Sequence, residues 1–169
     1  MKKYIRDVVS DIVDPRDKIT HTPDGVFALA SKGKPALFFL EIDRGTTALR
    51  DDVHGVAKML KFYFRLMVDG QYQRYRDDFR TDRPFDLFRV LVVTTTQARL
   101  TNMRKLSTAI TIQPATAKRF VWLSTHDVVT PGAVLGSIWT SFDEGDPTTY
   151  GIAPGVETKE VCARLPVGA

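Results

Sequence analysis

Three carboxylates, Asp24, Glu41 and Asp43, stand where a β-hairpin would gather them at one strand end. Glu41 and Asp43 close an apolar run (ALFFLEID, 36–43) and are two residues apart, so both point to one face of a strand, roughly 7 Å from each other. Ahead of that run, Thr22-Pro23-Asp24-Gly25 reads as a turn and residues 26–30 as a short strand, with Gly33 and Pro35 in the loop between the two strands. A loop centred near Gly33 puts Asp24 across from residues 41–43, and a slip of one residue in pairing moves it on or off their face. Carboxylates brought together repel one another unless a proton or cation intervenes. A hard ion such as Mg²⁺ or Mn²⁺ is held by carboxylates, waters and phosphate oxygens. It could activate water and steady the charge on a scissile phosphate. Asp24, Glu41 and Asp43 are therefore candidate metal ligands and candidate catalytic residues. The plainer alternative makes Glu41 and Asp43 solvated strand terminators, with Asp43 paired to Arg44, and Asp24 an ordinary turn residue.

The elements that must position these acids can be read from periodicity. Ile5, Val8, Val9, Ile12 and Val13 form a stripe that predicts a helix over 3–13, stopped by Asp14-Pro15. Residues 52–68 predict a helix with Val53, Val56, Ala57, Leu60, Tyr63, Phe64 and Met67 on its apolar face, and a basic stripe of His54, Lys58, Lys61 and Arg65 on the other. Residues 70–84 are polar and read as a loop or a frayed extension of the helix. Their Tyr72 and Tyr75 could stack on bases or lie half-buried at the surface. A strand over 88–93 leads through Thr94–Thr96, which can cap a helix over 97–110 with Leu100, Met103, Leu106 and Ile110 inward and Arg99, Arg104 and Lys105 outward. A further strand covers 120–124, and 134–142 is ordered. Helix, hairpin, helix, strand, helix, strand describes an α/β domain with a mixed sheet flanked by helices. It spans residues 1–142, and the Gly/Pro-rich stretch 143–169 is expected to be a loose tail.

The chain has 169 residues, 43% of them hydrophobic and 26% charged, which suits one domain with a proper core. No apolar run approaches the ~20 residues of a membrane span, and the charged start MKKYIRDVV is no signal peptide. The single cysteine, Cys162, gives neither an internal disulfide nor a zinc cluster, so a reducing, cytoplasmic setting is expected. No Walker-type phosphate loop, dinucleotide fingerprint or nucleophile elbow is present, which argues against a nucleotide cofactor and against serine-hydrolase chemistry. His21, His54 and His126 are scattered, with no paired metal motif. The net charge is +4 with a pI near 9.3. From Leu87 to His126 there are Arg89, Arg99, Arg104, Lys105, Lys118 and Arg119 and no acid, whereas 143–160 is acidic. A basic cluster suits a polyanion, so DNA is the expected partner, with Lys58, Arg65, Arg99, Arg104 and Lys105 as candidate contacts. An ordinary basic surface would look the same.

The strings PDG (23–25), FAL (27–29), FFLEIDRGT (38–46) and FRVLVVT (88–94), with the 58–63 helix segment, resemble the replication-relaxation family, whose members act in plasmid and mobile-element replication and DNA relaxation. The resemblance covers about residues 20–140, and LEIDRGT is its most specific part. It implies DNA and other replication proteins as partners. Members often carry a winged-helix DNA-binding domain; this chain shows none, so it is expected to be a short member or one domain of a longer protein. The same residues resemble the PD-(D/E)xK nucleases, which implies a restriction-endonuclease-like fold with Asp24 and Glu41 as metal ligands. The third position is Asp43, where that pattern has a lysine to orient the attacking water. The next helix could supply one through Lys58 or, preferably, Lys61; a solvated helix face is the simpler explanation of both lysines. Arg44 should point to the opposite strand face.

Overall fold

The computed structural model describes residues 7–10, 16–31, 34–46, 49, 55–109 and 115–153, of which 7–10, 31 and 115–117 are described by their backbone alone. Two short strands, β1 (Asp7–Ser10) and β2 (Lys18–His21), pair antiparallel with Asp7 opposite His21. The helix expected over 3–13 is thus corrected to a strand across 7–10. Val8 and Val9 belong to a β-branched run, whose side chains lose rotamer freedom in a helix and fit a paired strand better.

The main sheet has six strands in the order β3 (Gly25–Ser31), β4 (Lys34–Ile42), β5 (Phe88–Thr94), β6 (Val121–Thr125), β7 (Trp139–Ser141), β8 (Thr149–Tyr150). β3 and β4 form the expected hairpin, with Ser31 opposite Lys34 and Gly25 opposite Leu40. β4, β5 and β6 are mutually parallel, and β7 and β8 return antiparallel. The expected α/β class, a mixed sheet with flanking helices, is therefore present.

Helix α1 (Val56–Val68), a 3₁₀ turn (Gln71–Arg74) and the short α2 (Tyr75–Phe79) connect β4 to β5; α3 (Gln97–Ala109) connects β5 to β6. Because the strand order runs 4-5-6 in one direction, right-handed crossovers place these helices on the same face. Alternation along the strands agrees with this. Leu37 and Phe39 of β4, Val90 and Val92 of β5 and Val121 and Leu123 of β6 join Leu60, Tyr63, Leu66, Met103 and Leu106 in the larger core. The intervening Phe38, Leu91, Val93 and Trp122 face the other way, into a second cluster to which no described helix contributes. Strands apolar on both faces are expected at the centre of a parallel sheet.

α1 also buries Phe62 and Leu66, which lie outside its expected apolar face, because β1 and β2 pack along that side. The 70–84 stretch is more structured than a loop. Gly70 takes the left-handed φ of 64° that ends α1, and Tyr75 is buried with its ring 5.2 Å from that of Phe39. Tyr75 is thus a core residue rather than a base-stacking one, and Tyr72 packs on Phe88 while its hydroxyl donates to the Asp86 carbonyl.

Residues 143–153, expected as part of a loose tail, are structured. Arg104 of α3 donates through Nη2 to the carbonyls of Asp143, Glu144 and Asp146 at 2.9, 3.1 and 2.6 Å, and Ser107 Oγ accepts the Glu144 N–H. β8 then pairs with β7 and residues up to Ala153 are described; the rest of the expected tail, 154–169, lies outside the described residues. Replacing Arg104 with glutamine should leave several part-buried carbonyls unpaired and cost about 1–3 kcal/mol in denaturant unfolding. An unchanged midpoint would show that the 143–146 turn holds without it.

Candidate functional site

The hairpin register sets the carboxylates. Continuing the ladder past Gly25 places Asp24 opposite Glu41, as the loop length suggested. Asp24 itself is exposed and its Oδ2 accepts the Ile42 N–H at 2.7 Å, so this side chain holds the turn to the end of β4. Glu41 follows Leu37 and Phe39 onto the helix-covered face and is 8% exposed. There Oε1 meets Nε2 of His21 at 2.7 Å and accepts the Tyr63 hydroxyl. Burial first, and then the Glu41 charge, push the Tyr63 phenol well above its usual pKa, so it stays a proton donor to the carboxylate. His21 itself lies in ring contact with Phe62 and Tyr63.

Asp43, one residue past β4, is committed elsewhere. Oδ2 accepts from Thr94 Oγ1 at 2.6 Å and Arg99 Nε at 2.5 Å, and Oδ1 accepts from Arg99 Nη2 at 2.9 Å and the Gly45 N–H at 3.2 Å. Burial opposes the ionised carboxylate. The hydrogen bonds from Arg99, Thr94 and Gly45, with the Arg99 charge, outweigh it and hold Asp43 below the usual carboxylate pKa. Hydrogen bonding to Asp43 in turn raises Arg99. Gly45 has φ of 78°, and a Cβ there would sit 3.2 Å from Thr95 Oγ1, so glycine lets the 43–46 turn close under the β5–α3 loop.

A cleft of about 240 Å³ opens at this carboxyl-terminal edge of β4 and β5. Glu41, Asp43 and His21 line it together with Gly55, Val56 and Lys58 of the α1 start. Among the described residues the α1 N-terminus has no side-chain cap and no acid in its first turn, so the positive end of its dipole is not neutralised there, and Gly55, Val56 and Lys58 of this turn line the cleft. Among the described residues Lys58 has no hydrogen-bond or ion-pair partner. Open α/β sheets take ligands at this edge. Such an arrangement can bind an anion beside a hydrogen-bonded His–Glu–Tyr group.

The structure therefore brings Glu41, Asp43 and Lys58 to one cleft and leaves out two other expected site residues. Lys61 is exposed on α1 near Asp17, and Asp24 faces solvent at the turn. Among the described residues no group of three or more His, Cys, Asp or Glu side chains is arranged to hold a metal ion. As arranged, a divalent cation would have to displace Arg99 from Asp43, so the three carboxylates do not fit one ion without rearrangement. The expected DNA contacts are mostly engaged within the protein. Arg65 pairs with Asp17, Arg99 with Asp43 and Arg104 with the 143–146 carbonyls, while Lys105 is exposed. Elsewhere in the basic 87–126 stretch, Arg89 stacks on Trp122, Lys118 donates to the Ser107 carbonyl and Arg119 lies 3.5 Å from Asp143. His54 lies outside the described residues.

His21 is the site residue that sequence reading missed. Its signal was the KITH segment (18–21), where Ile19 and His21 alternate to one face of a strand next to Pro23. Fold and site together define a mixed α/β domain with a polar cleft where the parallel strands end. Comparison with known protein families, with curated proteins and with solved structures returned no match.

Proposed function

We propose that this chain is a DNA-associated domain of plasmid or mobile-element replication and relaxation, working in the cytoplasm, and that its cleft receives the phosphodiester backbone. The reading is supported above all by the first turn of α1, which among the described residues carries no side-chain cap and no partner for Lys58, lining one cleft with Glu41 and His21. The LEIDRGT string adds the family likeness, and a restriction-endonuclease-like core is part of this reading. No described helix is long and apolar enough to cross a membrane.

The hydrolytic form, with Mg²⁺ or Mn²⁺ on Glu41 and Asp43, would require Arg99 to leave Asp43, and Lys58, rather than Lys61, is the lysine that lines the cleft. The Asp43–Arg99 pair favours a second reading, a nuclease-like fold that binds DNA or a replication protein without cutting it. Replacing Lys58 with methionine should weaken duplex DNA binding roughly three- to tenfold and lower the salt slope of affinity by about one. Equal affinity and slope in the variant would remove the cleft from DNA binding. Calorimetry with magnesium and manganese then separates the two readings. Binding that disappears in Glu41→Gln, together with cleavage of supercoiled DNA, supports hydrolysis; salt-dependent DNA binding with no metal uptake supports the non-catalytic form.

A further inference from the structure

The two edges of the main sheet are built differently. β8, at one edge, is two residues long, which blunts it. β3, at the other, is seven residues long (GVFALAS) and pairs with β4 in unbroken register from Gly25 to Ser31. It carries no charge, no proline and no bulge, the devices that keep sheet edges from pairing. The hydrogen bonding of β4 fixes which groups of β3 point outward. The Asp43 N–H, just past β4, donates toward β5, to the Val93 carbonyl at 2.9 Å, whereas the Ile42 N–H turns the other way, to Asp24. Even-numbered residues of β4 therefore bond to β3, and their partners there are Gly25, Phe27, Leu29 and Ser31. Val26, Ala28 and Ala30 turn their N–H and C=O groups outward, where among the described residues no strand meets them.

This edge is complementary to itself. Set antiparallel about Ala28, two such strands place Val26 opposite Ala30 and Ala28 opposite Ala28, so the outward donors and acceptors of each meet those of the other. The side chains brought together are small and apolar, and no charges of one sign face each other along the strand. The Asp24 end of one strand lies beside the hairpin end of the other, where Lys34 is exposed, so the charges at the two ends are of opposite sign. On the helix-free face, Phe27 and Leu29 are only half-buried, and edge-to-edge pairing sets them beside the same residues of the other copy. Association thus covers apolar side chains together with unpaired backbone groups. We propose that two copies of this chain associate through β3, antiparallel and two-fold symmetric about Ala28, into one continuous sheet.

Light scattering on the full chain should give a mass that rises to twice that of one copy as the protein is concentrated. Hydrogen exchange at the backbone amides of Val26, Ala28 and Ala30 should slow by about tenfold or more over the same range. Ala28→Pro removes an outward donor without removing a bond to β4, which is where an edge strand tolerates proline. Ala30→Lys puts a charge at an exposed position of the same strand. Both variants should remain single copies at every concentration, keep a native circular dichroism spectrum and lose the protection at Val26. A wild type that stays a single copy when concentrated would overturn the proposal. So would a dimer whose three amides exchange as fast as in dilute protein, because another surface would then carry the association. Amides protected equally at all concentrations in a single copy would show the edge occupied within the chain, and would overturn it as well. Should Ala28→Pro disturb the strand, Ala30→Lys decides alone: a folded variant that dimerises like wild type removes β3 from the interface.

Discussion

Replacing Arg99 with methionine is expected to destabilise the protein by roughly 2–4 kcal/mol at neutral pH, read from the urea midpoint. Removing one partner of a buried ion pair leaves the other charge desolvated and uncompensated, which costs about 3–5 kcal/mol where burial is complete. The Arg99 and Asp43 side chains are 17% and 8% exposed, so some solvent screening reduces that figure. The pH dependence makes the assignment specific. Asp43 has a folded pKa below its unfolded value, so its stabilising contribution is fully present above about pH 4 and is lost as pH falls through the folded pKa. In Arg99→Met the hydrogen bonds and charge of the guanidinium are gone while burial and the Thr94 and Gly45 hydrogen bonds remain, so the Asp43 pKa rises toward its unfolded value. Stability of the variant should then fall less steeply than that of wild type as pH is lowered through about 4. A variant within 0.5 kcal/mol of wild type, with the same acid limb, would mean that Asp43 does not depend on Arg99.

That ion pair also shows what the sequence could and could not disclose. The Asp24–Glu41 juxtaposition was legible because a hairpin is local: the turn residues, the loop length and the period-two alternation all lie within 20 residues. The strands at 88–94 and 121–125 and the two long helices were legible for the same reason. Arg99, by contrast, reached Asp43 only because β4 and β5 pair in parallel with Ile42 beside Val93, which sets Thr94 and the start of α3 against the end of β4. No local pattern tells a surface arginine from one 56 residues away in sequence from its partner. The basic stretch 87–126 is a second case of long-range pairing. Its charge excess is real in composition, but Arg104 and the exposed Arg119 both engage the acidic 143–146 turn, which sequence reading had set apart as tail. His21 was hidden for a related reason. Once residues 3–13 were read as a helix, nothing remained to pair with 18–21, and the strand that carries the histidine to Glu41 lost its neighbour.

Truncating Phe39 to alanine should have the larger effect on stability, about 3–5 kcal/mol. Phe39 is fully buried two residues before Glu41, and its ring lies 5.1 Å from Tyr63, 5.2 Å from Tyr75 and 5.1 Å from Phe88. One side chain thus ties β4 to α1, α2 and β5, and the cavity left behind is bounded by three large rings held from different elements, which limits collapse. Phe39→Leu fills most of that space and should cost clearly less, about 1–1.5 kcal/mol. The site feels the change through Tyr63. Its phenol is kept protonated by burial and by Glu41, so a ring free to tilt into the cavity exposes the hydroxyl and loosens its bond to the carboxylate. Ultraviolet titration of the tyrosines should therefore show Tyr63 ionising at lower pH in Phe39→Ala than in wild type, with Phe39→Leu close to wild type. A large loss of stability with an unaltered tyrosine titration would separate the two roles: Phe39 would support the core, and the Glu41–Tyr63 pair would be positioned by α1 and β2 alone.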